Sequence, residues 1–274
     1  MKPFMQIGCL LLAICTSATV AAPASAHFDV MPYLTDSGDL RAGGYQLNAL
    51  PYARTDQQVF IGSLLHYVSF PGAVDSSAPG WIAVTSAVDL PAGSSPLPGS
   101  TAIYCDFVSM PQLDANLAYW DGLGAVAFGA TPDGEALQLS LGGAESATVS
   151  GENEDVVGIE IATTSALGGL HVHPFWTLYG NSLLDPTSMD APSSGVYLAS
   201  VTMRIDSIRV SNPVYVLLGL DVSTDQLLAA ESWVSSQLSV PEPATGGLAI
   251  CTAPIVVAFL RRRLSQIKSG RQPA

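Results

Sequence analysis

Basic side chains are scarce in this 274-residue chain: 10 Lys and Arg stand against 23 Asp and Glu, a formal net charge of -13. Affinity for phosphate backbones is built from clustered Lys and Arg, so nucleic acid is excluded as a partner. Charge of either sign is thin, at 12% of residues against roughly 25% in an average soluble domain. Cysteine is nearly absent. Of four, Cys9, Cys15 and Cys251 fall in apolar segments at the two ends, which leaves Cys105 alone in the body and excludes an intrachain disulfide there. A lone Cys in such a body reads as a small buried hydrophobe. Signatures of hydrolases and nucleotide enzymes are also lacking: there is no G-x-S-x-G, no H-E-x-x-H and no Gly-rich phosphate loop opening a helix. With 48% hydrophobic residues the chain is nevertheless not a disordered tail.

What is present begins with the ends. Lys2 is followed by a short apolar run and then by small residues closing on Ala24-Ser25-Ala26. That is the layout of a secretory signal peptide, expected over residues 1–26 with cleavage before His27 and passage through the Sec machinery. At the other end Pro241-Glu242-Pro243 precedes an apolar stretch, residues 244–260, and then Arg261-Arg262-Arg263. Those 17 residues are at the low end of the about 17–25 needed to cross a bilayer, and the triple Arg marks the cytoplasmic side. The expected organisation is therefore a signal peptide (1–26), an ectodomain (27–240) and a tail (241–274). Glu242 alone among the acidic residues, and six of the ten basic ones, fall outside the ectodomain. Its 22 acidic residues against Arg41, Arg54, Arg204 and Arg209 give it a formal charge of -18.

The tail, with a Pro-Glu-Pro motif, one hydrophobic helix and a basic cluster in that order, resembles the PEP-CTERM sorting signal of Gram-negative bacteria. The resemblance covers about the last 35 residues and implies an exosortase, a membrane-embedded cysteine transpeptidase, as processing partner. It implies an exported protein, anchored in the inner membrane before processing and then at the cell surface or in extracellular polymer. Short interior motifs, among them Leu117-Ala118-Tyr119-Trp120-Asp121-Gly122 and Gly169-Leu170-His171-Val172-His173, resemble exported proteins of the same group, for which no reaction is implied.

The body reads as strands and turns. Runs of β-branched, aromatic and aliphatic residues at 59–70, 81–88, 101–108, 117–120, 125–128, 137–141, 156–162, 175–178, 196–205 and 214–220 are punctuated by Pro71-Gly72, Pro79-Gly80, Asp121-Gly122, Asp133-Gly134 and Gly168-Gly169. This spacing predicts an all-β body, an antiparallel β-sandwich or jelly-roll-like domain. One helix is expected over 224–238, opened by Ser223 and Gln226 as a capping box.

Chemistry is sought at the histidines. Residues two apart on a strand share a face, so His171 and His173 are placed to hold one metal ion. Pro174, with no ladder donor, sets them at a strand edge or start. Cleavage after Ala26 would make His27 residue one, with a free α-amine and an imidazole for the same ion, and Asp29 is two residues further along the same face. The expected ligand set is His27, Asp29, His171 and His173, and the expected ion Zn or Cu; a copper redox site of the histidine-brace kind is one form of it. His66 reads as a strand residue rather than a ligand. Glu152-Asn153-Glu154-Asp155, and Asp36 with Asp39, lack the spacing of a dedicated Ca²⁺ loop and read as solvated turns. Trp120, Trp176, Tyr179 and Tyr197 are candidates for stacking on extracellular polysaccharide. The leading expectation is a non-enzymatic binding or structural module, with metal binding and carbohydrate binding as its alternatives.

Overall fold

The computed structural model describes residues 28–238 apart from 47–49, 51, 56, 67–71, 143–144, 186 and 207–208. His27, the Pro241-Glu242-Pro243 motif, Arg261-Arg262-Arg263 and both apolar ends thus lie outside the described residues. Among the described residues no helix is long and apolar enough to cross a membrane.

The chain runs through β1 (Asp29–Thr35), β2 (Leu40–Tyr45), β3 (Ala53–Arg54), β4 (Val59–Ser63), β5 (Leu65–His66) and β6 (Ala73–Ser76). It continues through β7 (Trp81–Ala83), β8 (Ser94–Ser95), β9 (Ala102–Phe107), β10 (Leu117–Trp120), β11 (Gly129–Ala130) and β12 (Ala136–Ser140). Then come β13 (Ser146–Val149), β14 (Val156–Thr163), β15 (Leu170–Val172), β16 (Phe175–Tyr179), β17 (Gly195–Arg204), β18 (Val214–Leu220) and α1 (Thr224–Gln237). Among the described residues the body is mostly β with one α-helix, as the strand and turn signals imply.

Three sheets form. The first has the order β15-β7-β1-β2-β3, with β8 also on β1; the second has β11-β10-β17-β18-β4, with β9 on β17 and β14 on β9; the third has β13-β12-β16-β6-β5. All three contribute to one buried apolar cluster that includes Val30, Phe60, Val74, Trp81, Leu117, Leu137, Trp176, Tyr197 and Leu218. Strands β17 and β18 are buried along nearly their whole length, which is why they read as continuous apolar runs rather than alternating ones.

The expectation of purely antiparallel pairing is corrected at two places: β1 pairs with β7 in parallel, and so does β18 with β4. Parallel neighbours need a long crossover, and both pairs are joined by chain that builds other sheets on the way. A second correction concerns residues 125–128, which form no strand. Phe128 instead lies against Trp233 of α1, ring centroids 5.3 Å apart, so this apolar run covers a helix instead of joining a ladder. The helix begins at its expected cap, where Ser223 accepts from the Gln226 N–H and the Gln226 side chain accepts from the Ser223 N–H. It buries Leu227, Ala230 and Val234.

One feature of the connectivity positions the site. The chain crosses between the third and first sheets twice, from β6 to β7 through residues 77–80 and between β15 and β16 through His173-Pro174. Since β6 pairs with β16 and β7 with β15, the two crossings are neighbours. Trp81 and Trp176, just beyond them, stack at 5.5 Å and fill the corner beneath.

Candidate metal centre

Strand β15 is the edge of the first sheet and carries His171 opposite Ile82 of β7. The ladder ends one residue later, and Pro174 holds His173 outside it. Both imidazoles are exposed and turn toward each other, Nε2 to Nε2 at 3.0 Å. Asp29 opens β1, whose Val30 is paired with Trp81, so its carboxylate comes up beside the same corner. Its Oδ2 lies 3.3 Å from His171 Nε2, and its side chain is only 2% exposed. One ligand atom from each of Asp29, His171 and His173 lies within 4.8 Å of the other two.

The residues around the three donors set their orientation. His173 Nδ1 is 2.9 Å from the Ser77 carbonyl. A carbonyl only accepts, so Nδ1 carries the proton, and in the neutral ring Nε2 is left with its lone pair aimed at His171. A ligating His held through its other nitrogen by a backbone carbonyl is the usual outer support of a metal site. Asp29 Oδ1 accepts the Gly80 N–H at 3.1 Å, while Val30 N–H donates to the Gly80 carbonyl at 2.9 Å. Oδ1 is therefore engaged by the backbone, and Oδ2 is the oxygen beside His171. Gly80 is required by space: a Cβ there would stand 2.6 Å from His173 Cε1 and Nδ1 and 2.9 Å from Asp29 Oδ1.

Donor separations of 3.0 and 3.3 Å suit a small divalent ion. With metal–ligand bonds of about 2.0–2.1 Å they subtend angles of roughly 95° and 105°, between square and tetrahedral. Two imidazoles and one carboxylate form a donor set for Zn or Cu. When a metal binds, the His171 Nε2 proton must leave or move to Nδ1, because a ligating nitrogen offers a lone pair.

Of the four expected ligands, then, Asp29, His171 and His173 are brought together, and His27 lies outside the described residues. Ser77 and Gly80 were missing from the expected set. Pro79-Gly80 is legible as a turn, but nothing in the sequence says which side chains the turn faces.

Other candidates stand elsewhere. His66, on β5, and Ser194 both bond Asp221 Oδ2, at 3.1 and 3.0 Å, so the carboxylate sits between them and the imidazole does not face the hydroxyl. This is a surface network, not an activated serine. Cys105 is fully buried, and burial followed by the Asp106 charge pushes its thiol up, away from the reactive thiolate. Asp155 accepts the Ser109 N–H at 2.8 Å and Asn153 donates to Asp114, so the acidic run is a braced surface turn. In the same way Ser37 donates to Asp39 at 2.6 Å.

Three of the four stacking candidates are corrected: Trp120, Trp176 and Tyr197 are buried in apolar clusters and offer no face to a sugar. Tyr179 is half-buried, its hydroxyl 3.3 Å from Gln138. Composition shows that aromatics are present but not which side of a sheet they occupy. A separate cleft of 380 Å³ is lined by Asp133, Glu135, Asn181, Leu184 and Asp190. Its one deeply buried carboxylate, Glu135, is already held by Tyr197 Oη and by the Ser193 N–H at 2.7 Å.

Comparisons with protein-family models, with curated proteins and with solved structures find no match for this chain.

Proposed function

With no relative to argue from, we propose that this chain is an exported β-sandwich protein whose body binds one Zn or Cu ion through Asp29, His171 and His173. The observation that carries this reading is the convergence of three ligand atoms within 4.8 Å, from segments far apart in sequence. The Ser77 carbonyl and the Gly80 N–H support it by turning His173 and Asp29 toward a common point. The test is metal analysis of the full-length chain, purified without a histidine tag and dialysed after equilibration with Cu or Zn. One equivalent is expected, lost in the His171→Ala, His173→Ala double variant. Metal content no higher than that of the double variant overturns the reading.

The route outward is proposed from the ends of the sequence. The leader directs export, the tail is an exosortase substrate, and the anionic body is released or displayed outside the inner membrane. Replacing Pro241, Glu242 and Pro243 by Ala is expected to leave unprocessed protein in the inner membrane of an exosortase-bearing host. Unchanged fractionation would count against the sorting signal and leave the metal site untouched.

A further inference from the structure

Resting on that metal-binding reading, we infer that the bound ion keeps a solvent-facing coordination position and takes a small exogenous donor there. The three donors would meet an ion from the protein side, leaving its outer face to solvent. Asp29 forms the buried floor, with the Gly80 and Ser77 backbone bracing it and His173. The two imidazoles form an exposed rim; the His171 side chain is 45% exposed. Among the described residues no fourth His, Cys, Asp or Glu joins the cluster.

Zn and Cu take four or more ligands, and a site with three protein donors completes its shell with water or another small molecule. One carboxylate and two neutral imidazoles leave a divalent ion with a residual charge of about +1, which favours a neutral or singly anionic donor over a cation. The occupant class is thus a one-atom oxygen or nitrogen donor, water at rest and a small anion or amine by exchange. No electron is transferred; one dative bond replaces another.

Azide is the probe. The full-length protein loaded with one equivalent of Cu(II) is titrated with sodium azide, and absorption and electron paramagnetic resonance spectra are recorded. The expected result is a saturable azide-to-copper charge-transfer band with a matching change in the copper resonance, reversed by dialysis and absent from the His171→Ala, His173→Ala variant treated alike. Stoichiometric copper whose spectra azide does not move would overturn the inference alone. It would mean that another group of the chain, such as the amine of a His27 start, closes the shell. Failure to bind copper would overturn this inference, and failure to bind zinc as well would overturn the metal-binding reading with it.

Discussion

Gly80→Ala tests the metal centre without removing a donor. Gly80 is not among the glycines held at positive φ, so its backbone admits alanine and only the added methyl matters. That carbon would lie 2.6 Å from the His173 ring, whereas ordinary contact begins at 3.4 Å, so the ring must retreat by about 0.8 Å. Metal–ligand bonds tolerate about 0.2 Å, so His173 leaves the ion's reach and loses its Ser77 support together. Losing an outer support typically costs 10–100-fold in affinity, about 1.4–2.8 kcal/mol, and losing the ligand as well puts the effect at the upper end. The exposed His173 ring can swing outward, but the buried Asp29 Oδ1, 2.9 Å from the added carbon, must shift too, so stability should fall by about 1–3 kcal/mol. The assay is calorimetric titration with Zn in competition with a chelator, paired with thermal unfolding followed by circular dichroism. A Gly80→Ala protein that is folded and binds within about threefold of the parent would refute the geometry argued here.

Tyr197→Phe should lower stability by about 1–3 kcal/mol, read from denaturant unfolding, because the buried Glu135 loses its Tyr197 hydroxyl while keeping the Ser193 N–H; an unchanged midpoint would refute that role. Ser223→Ala removes the acceptor of the α1 capping box and should cost about 1 kcal/mol, with a drop in melting temperature and no change in metal affinity. Asp221→Asn probes the surface network. Hydrogen bonds from His66 and then Ser194 hold the Asp221 carboxyl below its usual range. A carboxyl so shifted adds stability above its unfolded value of about 3.9 and loses that contribution as the pH falls through the lower folded value. The side chain is 53% exposed, so the pair is worth at most about 1 kcal/mol at neutral pH. Asn tolerates the positive φ of 53° at this position, and the difference between the two proteins should vanish in acid. A difference that grew as the pH fell would reverse the sign of the argument.

Some of this was open to a reader of the residues alone. Strands β10 and β18 fall at their expected bounds because each is a compact apolar run with turn residues on both sides. The helix starts where Ser223 and Gln226 put it, since a capping box is a local hydrogen-bond exchange that needs no tertiary partner. Strands β1 and β2 were missed. Pro32 lies inside a β1 that is buried from Asp29 to Leu34, and β2 carries Gly43 and Gly44, the first closing to within contact of the Arg54 carbonyl. Neither strand shows the alternation by which a one-sided strand is read, and close backbone approach is a property of the partner segment.

The pairing of His171 with His173, the edge position enforced by Pro174 and the nearness of Asp29 to the chain's expected cleavage point belong to the sequence, because strand periodicity and the proline ring act over two or three residues. That Asp29 meets those imidazoles, and that Ser77 and Gly80 fix their orientation, was decided by the parallel pairing of β1 with β7 and by two neighbouring crossings between sheets. Local order is written in neighbouring residues, whereas a donor set drawn from two segments about 140 residues apart exists only once the shared core has fixed how the sheets pack.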